Sequence, residues 1–201
     1  MYRKTVVILL LGTMFLSGCT YFRKPLLVCQ DISWKDRKLA QSRITDWQMS
    51  GVFSITYGNK RDIANFNWQQ KLDNYTINIS GPMDIGNARV AGDIGRVRFW
   101  RASGEVFEAD TPEQLMESQL GWRLPISDIR YWILGIPAPT KVDYKYFDRY
   151  GHMNFFKQKG WQVKYSGFWC GVKKGVDLPQ TIELTNKGVV IKIKIKKQRL
   201  N

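Results

Sequence analysis

Apolar side chains recur at every second position through most of this chain, and that period allows little except β-sheet. Trp47, Met49, Gly51, Phe53, Ile55 and Tyr57 alternate with polar or small neighbours, as the pleat of a half-buried strand requires. Ala64, Phe66 and Trp68 repeat the pattern after Tyr57-Gly58-Asn59-Lys60, which reads as a hairpin turn; Tyr75, Ile77 and Ile79 repeat it after Asp73-Asn74. Shorter strands are predicted at 88–94, 96–102 and 105–109, then at 142–148, 153–159, 161–169, 180–186 and 189–196. In the last of these Val189, Ile191, Ile193 and Ile195 face one way and Lys192, Lys194 and Lys196 the other. About eleven strands result.

Helical signals interrupt the strands. Ser33 with Asp36 three residues on makes a capping box, opening a helix on which Leu39, Ala40 and Ile44 form a modest apolar stripe. Thr111-Pro112-Glu113-Gln114 combines an N-cap, proline at the first helical position and glutamine at N3, and Gly121 can end that helix. Ile126, Ile129, Trp132 and Ile133 share one face of another, stopped by Gly135 before Pro137. The expected fold is mainly β with helices: a curved antiparallel sheet or open barrel, its mouth filled by helices.

The first twenty residues set the compartment. Arg3 and Lys4 precede an apolar run from Val6 to Leu16, too short to span a bilayer, which takes about 20 residues, and so a signal-peptide core. It ends in Leu16-Ser17-Gly18-Cys19, the bacterial lipobox pattern, whose thiol accepts diacylglycerol. Residues 1–18 are therefore expected to be a leader, residues 19–30 a lipidated N-terminus and tether, and residues 31–201 one barrel domain. The chain carries 31 Lys+Arg against 17 Asp+Glu, a formal charge of +14. Losing Arg3 and Lys4 with the leader takes two off +14 and leaves +12. Export removes nucleic acid as the partner of that charge, and Thr20 is not the aspartate used for inner-membrane retention in enteric bacteria, so the outer membrane is the expected destination. Cys29 and Cys170 could pair in an oxidising compartment; with Cys29 only ten residues from the anchor, two unpaired thiols are the expectation.

Catalytic chemistry is hard to find. No Gly-x-Ser-x-Gly elbow, phosphate-cradling glycine loop or His-Glu-x-x-His occurs. His152, the lone imidazole, follows a Tyr150-Gly151 turn and reads as a solvated turn residue. Glu105 and Glu108 have opposite parity on a strand, so they should not face one another as a hydrolase pair. Neither an enzyme nor a cofactor or metal protein is expected. The eight tryptophans could line a ligand cavity or simply fill a core.

Residues 121–126, Gly-Trp-Arg-Leu-Pro-Ile, followed by Tyr131-Trp132-Ile133-Leu134-Gly135-Ile136-Pro137, resemble the signature of the LolB family. Trp47-x-x-x-Gly51, Phe66-x-Trp68-Gln69 and Pro179 before a basic closing strand agree with it, so the resemblance covers nearly all of the exported chain. It implies an eleven-stranded open β-barrel of the LolA/LolB kind with helices plugging a hydrophobic cavity. It implies a lipid-anchored receptor, monomeric, on the periplasmic face of the outer membrane. That receptor takes triacylated lipoproteins from the periplasmic carrier LolA and inserts them into the membrane's inner leaflet of phospholipids. On that reading Trp68, Trp100, Leu115, Ile129, Trp132 and Ile133 line the acyl-chain cavity and Cys19 carries the anchor.

The family's exposed hydrophobic loop corresponds to Gly81-Pro82-Met83-Asp84-Ile85-Gly86, where Met83 stands in the leucine position and Asp84-Ile85 is inserted. Met83, Ile85 or both then form the membrane-insertion tip, whereas pattern alone would tuck Met83 into the core. From Lys187 to Asn201 six cations occur without an acid (Lys187, Lys192, Lys194, Lys196, Lys197, Arg199); they either steer the chain to an acidic carrier and anionic head groups or form a plain solvated face. The alternatives to this function are an envelope lipoprotein holding a lipid or small hydrophobic molecule, a carboxylate-based hydrolase, and a structural lipoprotein.

Overall fold

A computed structural model describes residues 29–81, 87–121 and 123–201. The leader, Cys19, Met83 and Ile85 lie outside the described residues. Helix α1 (Trp34–Ser42) starts where the capping box predicts: the Ser33 hydroxyl accepts from the Asp36 amide at 3.2 Å and donates to its carboxylate at 2.7 Å. Of the expected apolar stripe, Ala40 and Ile44 pack against the core. Leu39 is exposed, while Arg37 and Gln41 are buried, because both hydrogen-bond to Asp177 and to backbone carbonyls of distant loops rather than packing as hydrocarbon.

Eleven strands form one antiparallel sheet: β1 (Asp46–Tyr57), β2 (Lys60–Lys71), β3 (Asn74–Ser80), β4 (Ala88–Asp93), β5 (Arg96–Arg101), β6 (Val106–Ala109), β7 (Tyr144–Phe147), β8 (Met153–Gln158), β9 (Trp161–Lys173), β10 (Val176–Asn186) and β11 (Val189–Leu200). Their order is β6-β5-β4-β3-β2-β1-β11-β10-β9-β8-β7. The first and last strands therefore meet at the centre, and β6 and β7 are open edges. The expected strand count and open antiparallel architecture are both observed. Inner-face residues of both halves, such as Phe99 on β5 and Val163 on β9, join one core with the helices.

Alternation fixes which face is dry. On β11 Ile191, Ile193 and Ile195 are buried and Lys192, Lys194 and Lys196 exposed. The central β1–β11 pair bends at Ser50/Gly51, where the register shifts. Gly51 is bare because a β-carbon there would overlap the Lys194 carbonyl oxygen.

Two further helices lie between β6 and β7. Helix α2 (Pro112–Leu120) has Thr111 as N-cap, its hydroxyl accepting from the Gln114 amide at 3.3 Å, and ends on Gly121 at φ +74°. Helix α3 (Ile126–Trp132) buries Ile126, Ile129 and Trp132, and the chain leaves it through Gly135 at φ +79°.

Cys29 and Cys170 form a disulfide with Cα atoms 4.8 Å apart, contrary to the expectation of free thiols. Proximity to the tether gave no hint that residue 29 already packs against β9. The cross-link closes a 141-residue separation, and loop-closure entropy of that size contributes about 4–5 kcal/mol in the chain-entropy description.

Candidate functional site

Register brings the apolar inner positions of five strands together opposite α2 and α3. Phe53 pairs with Ile193, Phe66 with Ile79, and Trp68 with Ile77, which in turn pairs with Val90. Met116 of α2, Ile129 of α3 and Ile133 just beyond it close the other side, and every side chain lining the resulting chamber is apolar. Phe53, Ile79 and Leu124 on its wall are only half-buried and mark its way out to solvent. The chamber is narrow, with a free volume of about 60 Å³.

The ties on the two helices differ in strength. Helix α3 is held at several points. The Trp132 carbonyl accepts from the Tyr165 hydroxyl at 2.8 Å, and the Trp132 indole donates to Gln158 at 3.0 Å. Arg130 pairs with Asp73 at 3.0 Å and Asp128 with Lys159 at 2.8 Å. Helix α2 has Glu113 accepting from the Ser127 amide and hydroxyl, and a long contact between Arg101 and Gln119 at 3.4 Å. Fewer side-chain hydrogen bonds and ion pairs hold α2 than α3, though Leu115 and Met116 anchor α2 in the core.

Trp68, Ile129 and Ile133 lie on the chamber wall. Leu115 and Trp132 are fully buried in the surrounding core but do not reach the chamber. Trp100 is a correction: on β5 Val97 and Phe99 take the inner positions, so Trp100 points outward, opposite Arg89, whose guanidinium stands 5.4 Å above its ring. Phe53, Phe66, Ile77, Ile79, Ile191 and Ile193 were absent from the sequence-derived set, although their parity on alternating strands placed each on the dry face.

His152 is also a correction, since it is not a solvated turn residue but 1% exposed. Its ring stacks on Phe168 with centroids 4.0 Å apart. Nδ1 lies 2.8 Å from Asp148 and Nε2 2.8 Å from Asp177 Oδ2. That same oxygen accepts from Arg37 at 2.5 Å, and Oδ1 accepts from the Gly171 amide at 2.6 Å. Arg37 also donates to the Tyr150 and Gln30 carbonyls. Cys29 Sγ, His152 and Asp177 come within 4.8 Å of one another, but the sulfur is spent in the disulfide and the carboxylate is fully engaged. The cluster ties α1 and residues 29–30 to the sheet.

Burial pushes the Asp177 carboxyl up, but hydrogen bonds from His152, the Gly171 amide and Arg37 outweigh it and hold the group below its ordinary 3.8. The stabilisation is therefore complete above that ordinary value and lost as pH falls through the lower native one. The urea midpoint should hold steady from neutral pH down to about pH 5 and fall below about pH 4. In Asp177→Asn part of that acid-side fall should vanish; an identical fall in both proteins would assign it to other groups.

Among the described residues no facing carboxylates emerge: Glu108 pairs with Arg98 and Arg96, and Glu105 with Arg101. Among the described residues no helix is long and apolar enough to cross a membrane.

A wide antiparallel half-barrel around helices and a dry chamber is the architecture of the LolA-like fold. The structure superposes on a LolA superfamily protein from Nitrosomonas europaea with a TM-score of 0.51 at 10% identity, covering 84% of this chain and 91% of that one. A DUF1329 family protein from Desulfovibrio piger gives 0.53 at 11% identity, over 87% and 94%. Sequence narrows this further. The family description "Outer membrane lipoprotein LolB" matches residues 45–197. The chain is 40% identical over 189 residues to the outer-membrane lipoprotein LolB of Coxiella burnetii, covering 92% of this chain and 89% of that protein. It is 33% identical to LolB of Halorhodospira halophila over the same shares, and 33% identical to LolB of Pseudomonas fluorescens over 81% and 78%. The chain belongs to the LolB family of outer-membrane lipoproteins.

Proposed function

We propose that this chain accepts lipoproteins from the periplasmic carrier LolA by taking their acyl chains into the chamber, then inserts them into the outer membrane. Cys19, the lipobox thiol, carries the anchor and holds the barrel at the periplasmic face. The process is binding and transfer, with no covalent step and no nucleotide. Three acyl chains of about 15 methylenes, at about 0.8 kcal/mol each, would make exposure to water cost roughly 35 kcal/mol. Cargo must therefore pass directly from one apolar host to the next, driven by the difference in affinity between hosts.

The observation that carries this reading is the chamber with its apolar way out. On this reading acyl chains enter beside α2, whose hydrogen bonds and ion pairs are fewer than those of α3. Ile79 stands on the wall two residues before Gly81, so the sequence runs straight from the chamber into the 82–86 segment. On this reading Met83 and Ile85 carry the delivery step, dipping into the inner leaflet as chains leave.

The test is to incubate a carrier–lipoprotein complex with the purified full-length protein and follow which protein holds the cargo. Transfer to this chain is expected. Cargo that stays on the carrier would leave the chamber as ordinary core in a structural lipoprotein. Met83→Glu should accept cargo normally yet deliver it to vesicles at least about tenfold more slowly, since a carboxylate resists entry into hydrocarbon. Delivery at the unsubstituted rate would remove Met83 from the mechanism.

A further inference from the structure

All four residues of β7 are exposed, with Tyr144, Tyr146 and Phe147 open by 62%, 63% and 41%. Among the described residues the strand pairs with β8 alone, leaving its other edge free. On its outward face Tyr144 stands opposite Lys157 and Tyr146 opposite Phe155, whose other neighbour is Lys164. The Tyr146 and Phe155 rings lie 5.7 Å apart, and beyond them Phe147 packs on Trp34 at 5.5 Å. Lys141, Lys145 and Arg149 are exposed along the same segment, with Asp143 the exposed acid among them. Exposed aromatic rings gathered on one edge strand mark an interaction site rather than scattered apolar residues.

Two facts select its occupant. Tyrosine and phenylalanine interleaved with lysine and arginine is the composition of protein surfaces at the membrane–water boundary. The position agrees, because Trp34 opens α1 and the disulfide pins Cys29 five residues before it. Cys19 is ten residues further back, and ten residues span at most about 36 Å.

We propose that β7 and its neighbours form a second membrane contact, a docking patch for an anionic phospholipid surface. The patch fixes how the tethered barrel stands on the bilayer, and it rests on the anchoring at Cys19 proposed above. The free strand edge sits against the head-group layer, since only the hydrocarbon layer forbids an open edge.

The test uses the full-length acylated protein in phosphatidylethanolamine vesicles with or without phosphatidylglycerol. Amide hydrogen exchange at residues 144–147 should slow about tenfold or more when the anionic lipid is present. Lys145→Glu/Lys157→Glu should abolish that slowing, and Tyr146→Ser/Phe147→Ser should do so without changing charge. Equal exchange in both vesicles overturns the proposal. So does slowing that scales with protein density, which would mean β7 pairing with a second copy, or slowing that appears only when carrier is added. Flotation with vesicles reports the anchor independently of exchange at β7, so the two ideas fail separately. The Lys145→Glu/Lys157→Glu protein should also take cargo from carrier in detergent as well as the unsubstituted chain does; a loss there would reassign the patch to the carrier.

Discussion

Asp177→Ala should lower the unfolding free energy by about 3–5 kcal/mol, the cost of leaving a buried charge without its partner. Its carboxylate accepts three hydrogen bonds from three directions: Arg37 on α1, His152 at the start of the β8 segment and the Gly171 amide on β9. Arg37 and His152 are each 1% exposed, so neither can turn to water when the acid is removed. The loss should be read by urea unfolding with the disulfide intact, because the cross-link and the cluster hold the same corner. Asp177→Asn, which keeps two acceptor lone pairs but no charge, should fall between. A loss under about 1 kcal/mol would mean that Arg37 and His152 find other partners and that the cluster is not what fastens α1.

Phe53→Glu should cut retention of acylated cargo by about a hundredfold. Phe53 is half-buried on the chamber wall, opposite Ile193. A carboxylate there stays hydrated while the chamber is empty but must be stripped of water when a tail lies beside it, and uncompensated burial of a polar group costs several kcal/mol. Because the side chain is not fully enclosed, stability should change far less than binding. Val52→Glu is the control: one residue earlier it faces outward, paired with Lys194, and should retain cargo normally. The readout is the fraction of lipoprotein that co-purifies with each variant. Equal retention in both proteins would put the acyl chains somewhere other than this wall.

How much could be read beforehand follows from what local pattern can carry. Period-2 alternation is a property of single strands, so all eleven were legible, and the caps at Ser33 and Thr111 sit where short-range hydrogen bonding demanded. The chamber wall was partly legible for the same reason, and Trp100 shows the failure: Phe99 and Trp100 are adjacent and both aromatic, and only the parity of Val97 decides which one turns inward. Long-range polar chemistry left no trace. Arg37 and Asp177 are 140 residues apart, so a helix that buries an arginine looked like a weak amphipathic helix, and His152 looked like a turn residue. The Cys29–Cys170 pair was hidden in the same way.

The most direct measurement is to load the carrier with a lipoprotein bearing a photoreactive group midway along one acyl chain, transfer it to this protein, irradiate, and map the adducts. If the chamber is the acyl site, adducts fall on Phe53, Trp68, Met116, Ile129 and Ile133. Adducts confined to outward residues such as Trp100 and Arg98, with none inside the sheet, would contradict it.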